Sequence, residues 1–321
     1  MQINPALAGK LTRIDQGNLG PAVLSGDGST VVYNKWIDNE QWDVFRHQGD
    51  RVERLTDDPR HDISPSLSRD GQVVAWSHYS GKQWGQGSWD IKKHVQGKTV
   101  VVADGPAHET DPQVSADGRT IVWTNDDSGS PWGFDIFREQ EGKMDQVTSG
   151  DGVNTDPLIS ADGSRVFFRR KVRFDGGDLW MKDEHGTIKP LTENPESEFD
   201  PAISANGRVV AFSQVSREFD DDVFWFHDKG GNVTVLAGEK KVDESEPTLS
   251  ADGSVAAWTR RSKKPGESRE PQVMLMENGQ TTPLTVEGLS FWPKLSEDGR
   301  VLTFATVEQN QVVLYKLERD S

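Results

Sequence analysis

The sequence predicts an all-β chain, a seven-bladed β-propeller of four-stranded blades, on three observations. A serine-centred motif recurs seven times, its period lies in the forties, and every copy is patterned as a strand entered by a tight turn. The motif reads Leu67-Ser68-Arg69-Asp70-Gly71-Gln72-Val73-Val74-Ala75-Trp76 in its second copy. Its serines are Ser25, Ser68, Ser115, Ser160, Ser204, Ser250 and Ser296, spaced by 43, 47, 45, 44, 46 and 46 residues. Two residues on stands Asp27, Asp70, Asp117, Asp162, Asn206, Asp252 or Asp298, each followed by glycine. Eight residues on stands an aromatic, and an aliphatic residue precedes each serine.

Each copy makes sense as a hairpin. Asp-Gly or Asn-Gly supplies the positive φ of a strand-reversing turn. The serine hydroxyl is placed to bond a nearby backbone amide. After the glycine, Val74 and Trp76 and their counterparts alternate with small or polar residues, the pattern of a half-buried strand. The aromatic set Tyr33, Trp76, Trp123, Phe168, Phe212, Trp258 and Phe304 reads as packing between blades. Burying one such ring stabilises by roughly 1.5–3 kcal/mol.

In chain order, blade one spans about Pro21 to Thr56, and later blades end near Asp104, Thr148, Thr192, Ala237 and Thr285. Third strands open with Asp43, Asp90, Asp135, Asp178 and Asp222, then Gln272 and Gln311, which suits a hydrogen-bonding corner. Blades close on pairs such as Leu55-Thr56, Val147-Thr148, Leu191-Thr192 and Leu284-Thr285. Leu11-Thr12 matches those closing pairs, whereas the last copy runs out after Gln311 to Lys316 without a fourth strand. Residues 8–15 are therefore expected to complete the last blade and close the ring, leaving no exposed edge. Residues 1–321 then form a single domain.

Composition narrows the function. The chain has no cysteine, which excludes disulfides, thiolate metal sites and a cysteine nucleophile. A net charge of −16 argues against duplex nucleic acid and anionic membranes and favours cations or basic partners. Apolar runs are strand-sized, so no membrane insertion is expected. The N-terminus lacks the basic and apolar regions of a signal peptide.

The candidate site is the face where the innermost strands begin and the loops after the second strands open. Four residues before the serine stand Asp111, Asp156, Asp200 and Glu246, with Pro21, Ser64 and Trp292 in the other blades. Six before it stand Asp62, Glu109, Glu198 and Glu244, with Leu19, Asn154 and Ser290. Around an axial channel these acids would crowd its mouth, and oxygen donors of this kind, Asp111, Asp156 and Asp200 above all, suit Ca²⁺. The structural reading is that each acid locks its own loop. Trp84, Trp89 and Trp132, with Trp36 and Trp42, are suited either to stacking on a sugar or peptide or to covering their blades. Arg169, Arg170, Lys171 and Arg173, and Arg260, Arg261, Lys263, Lys264 and Arg269, form basic clusters that offset the acids or stay solvated. His61 and His108 share a position in neighbouring blades, and with His78 they are the alternative metal ligands, of a lyase or hydrolase. No nucleophile elbow, zinc-protease helix or phosphate loop is present.

The run Pro112-Gln113-Val114-Ser115-Ala116-Asp117-Gly118, Ile121-Val122-Trp123, Asp135-Ile136-Phe137 and Val147-Thr148 resembles the repeat of TolB-type, WD-repeat-like β-propellers, and it does so over essentially the whole chain. That resemblance implies a propeller used as a periplasmic protein-binding module, a peptidase gate or a lyase scaffold, and with it a periplasmic or secreted location. The chain has seven repeats where the periplasmic protein's propeller looks six-bladed. The expected function is a non-enzymatic, monomeric binding propeller that engages a basic or polar protein, peptide or glycan on its acidic, tryptophan-rich face. The alternative is a metal-dependent lyase or hydrolase using the histidine and acid cluster.

Overall fold

The computed structural model describes residues 2–38, 40–81, 85, 87–127, 133–150, 152–172, 177–215, 220–228 and 231–320. The fold is all-β, a β-propeller of seven four-stranded blades. Besides these, Gln2–Ile3 pairs with Thr285–Glu287, and Pro5–Leu7 makes one 3₁₀ turn. Contacts gather the chain into two compact units, Ser29–Glu193 and Met1–Gly28 with Asn194–Ser321.

In the first unit, blade two orders Asp62–Leu67, Val74–Tyr79, Trp89–Val95 and Lys98–Ala103 from its first strand to its last. Blade three does the same with His108–Val114, Thr120–Asp126, Phe134–Gln140 and Lys143–Gln146. Blade four follows with Val153–Ile159, Val166–Lys171, Asp178–Lys182 and Ile188–Pro190. In the second unit, blade five holds Glu198–Ile203, Val209–Val215, Asp221–His227 and Asn232–Ala237. Blade six holds Val242–Leu249, Val255–Ser262, Gln272–Glu277 and Gln280–Pro283. Blade one is the sheet Leu19–Leu24, Thr30–Ile37, Gln41–Gln48 and Arg51–Arg54.

Blade seven is assembled from both ends of the chain. Phe291–Leu295, Val301–Glu308 and Gln311–Arg319 are followed by Gly9–Gly17, paired from Gly9 opposite Arg319 to Gly17 opposite Val312 with one register shift between Arg13 and Asp15. The expected strand is there, and it runs slightly further than residues 8–15. In the same unit the Glu297 amide bonds the Gly26 carbonyl at 2.8 Å, the step that also links Ala251 to Glu297 at 2.7 Å and Ala205 to Ala251 at 2.8 Å.

The turn chemistry follows from the motif. Each serine hydroxyl donates to the side-chain oxygen two residues on, as in Ser68–Asp70 at 2.6 Å and Ser250–Asp252 at 2.8 Å. The same Oγ accepts the amide five residues on, as from Thr120 to Ser115 at 3.0 Å. Gly118 has φ 72°, and a Cβ there would meet Val73 Cγ2 of the preceding blade at 2.7 Å, so turn and interblade packing both require glycine. The aromatic set is core, from Tyr33 and Trp76 at 0 % exposed to Trp258 at 2 %. Third-strand acids meet the closing threonines: Thr148 donates to Asp135 at 2.8 Å and Thr56 to Asp43 at 3.4 Å. The same threonine oxygens accept the Ile136 and Val44 amides at 2.9 Å, which makes the corner.

Candidate functional site

In six blades the first strand is interrupted at one place. Its register shifts between Ile63 and Ser66, Thr110 and Gln113, Thr155 and Leu158, Phe199 and Ala202, Ser245 and Thr248, and Phe291 and Lys294. The residue four before the serine lies in this bulge with a left-handed φ: Ser64 53°, Asp111 55°, Asp156 54°, Asp200 49°, Glu246 58° and Trp292 56°. Aspartate suits such a backbone because its short polar side chain bonds locally. The bulge also re-aims the side chain out of the strand's alternation.

Within Ser29–Glu193, Asp111 interacts with Asp156. Loss of hydration, and then Asp156, push the Asp111 carboxyl above its usual range, against hydrogen bonds from Ser64 and Thr110. Asp156 itself is ion-paired with Arg169 at 2.9 Å. Asp200 belongs to the other unit. There it and Glu246 act on Lys294, whose ammonium is pulled below the usual lysine range by burial, with the two acids opposing.

The acids six before the serine take a common position in their blades. Asp62, Glu109, Glu198 and Glu244 are buried, and each faces the residue ten after the serine across the first two strands. Asp62 lies 2.8 Å from His78 Nδ1, Asn125 donates to Glu109 at 3.4 Å and Gln214 to Glu198 at 2.9 Å. Asn154 takes the same place in blade four, accepting from Arg170 at 2.8 Å. The register shift of the bulge lies between the two sets of positions in each of these blades. Burial, then Asp90, raise Glu109 to about 7, and burial raises Glu244 to about 7.

The loop aromatics of blades one and two form a ladder. Trp42 meets Trp36 at 5.3 Å, Trp36 stacks on His61 at 5.6 Å, His61 meets Tyr79 at 6.4 Å and Tyr79 meets Trp89 at 5.2 Å. His61 and His108 accept the amides of Trp42 at 3.3 Å and Trp89 at 3.2 Å. Trp84, Trp132 and Arg173 lie outside the described residues. His78 lies within ion-pair distance of two acids, Asp62 at 2.8 Å and Asp58 at 3.8 Å. Asp58, Asp62 and His78 place ligand atoms within 4.8 Å of one another, a cluster suited to a metal ion. Asp58 escaped sequence reasoning because it sits in the loop before blade two, outside the repeat's invariant positions.

The second unit carries a cavity of about 480 Å³ whose walls include Asp221, Asp243, Glu246, Arg261, Phe291 and Trp292. Phe291 and Trp292 pack edge to face at 4.8 Å. Thr259 donates to Glu246 at 2.8 Å, and Lys263 pairs with Asp243 at 2.5 Å. Burial and then Asp243 raise the Asp221 carboxyl, whereas Asp243 holds the Lys263 ammonium above its usual range. Exposed Arg261 lies opposite Asp243 in the strand pairing. Glu246, Trp292 and Arg261 stood in the sequence-derived sets. Asp221, Asp243 and Phe291 did not, because no repeat position singles them out.

No family model and no curated protein matches the chain. Solved structures do. Oligogalacturonate lyase from Vibrio parahaemolyticus superposes with TM-score 0.73 at 12% identity, over 98% of this chain and 95% of that one. An oligogalacturonate lyase in complex with manganese gives TM-score 0.72 at 14% identity, over 100% and 96%. TolB from Acinetobacter baumannii gives TM-score 0.57 at 16% identity, over 87% and 66%. The likeness is one of fold. Lyase and TolB share this architecture, so the fold alone assigns neither activity.

Proposed function

We propose that this chain is a non-enzymatic binding propeller that captures a protein, peptide or glycan carrying basic groups, with the cavity beneath Glu246 and Trp292 as its contact point. The observation that carries this reading is the meeting of Asp221, Asp243 and Glu246 with the Phe291–Trp292 pair in one concave space of about 480 Å³. A ligand ammonium or guanidinium gains charge-assisted hydrogen bonds from such carboxylates and attraction from the ring faces. Trp292 supports it further: it is the aromatic member of the bulge set, at φ 56°, and its ring helps wall the cavity. The net charge of −16 draws cationic partners. A Ca²⁺ component of the reading would use Asp111 with Asp156 in the other unit. Arg169 already engages Asp156 at 2.9 Å, so the cavity and not calcium is the stronger support.

The test is titration of a lysine- and arginine-rich peptide, followed by tryptophan fluorescence. Glu246→Gln combined with Trp292→Ala is expected to weaken binding about 10- to 100-fold, the range of a lost aromatic anchor, with melting shifted by only a few degrees. Unchanged affinity in that variant overturns the reading. A metal-dependent lyase or hydrolase is the second reading, favoured by the Asp58–Asp62–His78 cluster. Cleavage of an oligouronate that requires added metal and stops on chelation would put it in the binder's place.

A further inference from the structure

We propose that Asp58, Asp62 and His78 form a binding site for one first-row divalent transition-metal ion of the Zn²⁺ class, a site independent of the cavity. The geometry begins with Asp62 and His78, which face each other across the first two strands of blade two. His78 Nδ1 lies 2.8 Å from Asp62 Oδ1 and 3.8 Å from Asp58 Oδ2. One imidazole nitrogen thus confronts two carboxylates, and all three ligand atoms fall within 4.8 Å of one another.

A second observation points to a ligand. Asp62 is 0 % exposed, and its Oδ2 has no hydrogen-bond partner; Asp58 Oδ1 is likewise buried and unpartnered among the described residues. A buried carboxylate oxygen without a donor is costly, about 1–3 kcal/mol or more for a charged group. The oxygens nearest His78 are Asp62 Oδ1 and Asp58 Oδ2, and the second oxygen of each carboxylate is the unpartnered one, so each acid keeps donor capacity beyond its present contacts. Two carboxylates with a neutral imidazole balance a divalent charge.

The surroundings suit such a site. Trp76 Nε1 donates to Asp62 Oδ1 at 2.7 Å and fixes that carboxylate, the part an outer-shell donor plays around a metal ligand. The Asp58 carbonyl is held by the Arg60 amide at 2.8 Å and by Gln41 at 3.1 Å, which pins the loop that presents it. The Asp58 side chain is 38 % exposed, which leaves an entry route and an open coordination position for water. Lys92 Nζ, 3.9 Å from Asp58 Oδ2, and the proton that His78 Nδ1 shares with Asp62 Oδ1 at 2.8 Å are what an arriving ion must displace, the imidazole then keeping its hydrogen on Nε2. An imidazole nitrogen with carboxylate oxygens selects zinc or manganese over calcium and magnesium, and zinc binds such donors more tightly than manganese.

The experiment is calorimetric titration of the chelator-stripped full chain with Zn²⁺, and with Ca²⁺ in parallel. One equivalent of Zn²⁺ is expected to bind at micromolar concentration or tighter, to raise the melting temperature, and to outcompete Ca²⁺. Asp58→Asn, on a partly exposed loop, is expected to keep the fold and to weaken Zn²⁺ at least tenfold. His78→Gln is expected to abolish the one-to-one step, and Co²⁺ loaded in place of Zn²⁺ should show a visible absorption band that Asp58→Asn alters. Absence of saturable Zn²⁺ binding, Zn²⁺ binding unchanged in Asp58→Asn, or a preference for Ca²⁺ each overturns the proposal. Glu246→Gln with Trp292→Ala should leave Zn²⁺ affinity untouched, so this result and that for the cavity fail separately.

Discussion

Glu109 and Glu244 are single residues that set a pH dependence. Each is almost fully buried, and each has its carboxyl raised from 4.5 to about 7, chiefly by desolvation. The folded state therefore binds these protons more tightly than the unfolded chain does. The stabilisation is complete below about pH 4.5 and is lost as pH rises through about 7. Unfolding free energy should fall between pH 5 and pH 8 by on the order of 1–3 kcal/mol for each glutamate. In Glu109→Gln with Glu244→Gln, denaturant titrations at the two pH values should show that slope much reduced. An undiminished slope would mean that other groups produce it. The turn aspartates act in the opposite sense: hydrogen bonds hold Asp162 and Asp252 below the usual carboxylate range, so their contribution is lost only in stronger acid.

Among the elements, the strand Gly9–Gly17 is the one whose loss should matter most. It pairs with Gln311–Arg319 along its length, broken by one register shift between Arg13 and Asp15. It covers the outer edge of blade seven, whose inner residues Leu302, Phe304 and Leu317 are buried. Leu7, just before it, is buried in the same cluster. Removal of residues 1–17 is expected to lower the melting temperature by ten degrees or more and to promote association through the bared strand, since an unpaired edge is a template for another chain. A truncated chain that melts as the full one does, and remains monomeric in light scattering, would show the strand to be dispensable. The bulge in the first strand is an element-scale device of another kind. It lifts Asp111, Asp156, Asp200, Glu246 and Trp292 out of the alternation, while Glu109, Asn154, Glu198, Glu244 and Ser290, two residues earlier, stay buried.

For the whole molecule, charge governs both stability and capture. At −16 the chain repels itself, and salt screens that repulsion. Raising sodium chloride from about 0.01 M to 1 M shortens the screening length from about 30 Å to 3 Å. The free protein should then melt a few degrees higher, whereas affinity for a cationic peptide should fall. Scanning calorimetry and peptide titration over the same salt series check the two opposite signs. Affinity that holds constant across the series would remove the electrostatic basis of the proposed function.

The architecture is written in the local pattern of the chain. Seven serine-aspartate-glycine turns, seven core aromatics and an orphan Leu11-Thr12 pair are local signals, each readable from a few adjacent residues, and together they specify blades and their closing strand. The sites were only partly legible. Glu246, Trp292, Asp62 and His78 occupy repeat positions and could be named in advance. Which of them meet is settled by the packing of strands and loops that lie far apart along the chain. The left-handed bulge breaks the strand's alternation between Asp62 and the serine of blade two, and between Glu109 and the serine of blade three. The cavity and the Asp58–Asp62–His78 cluster join residues from different strands and loops, and no spacing along the chain encodes distances of a few ångströms across it.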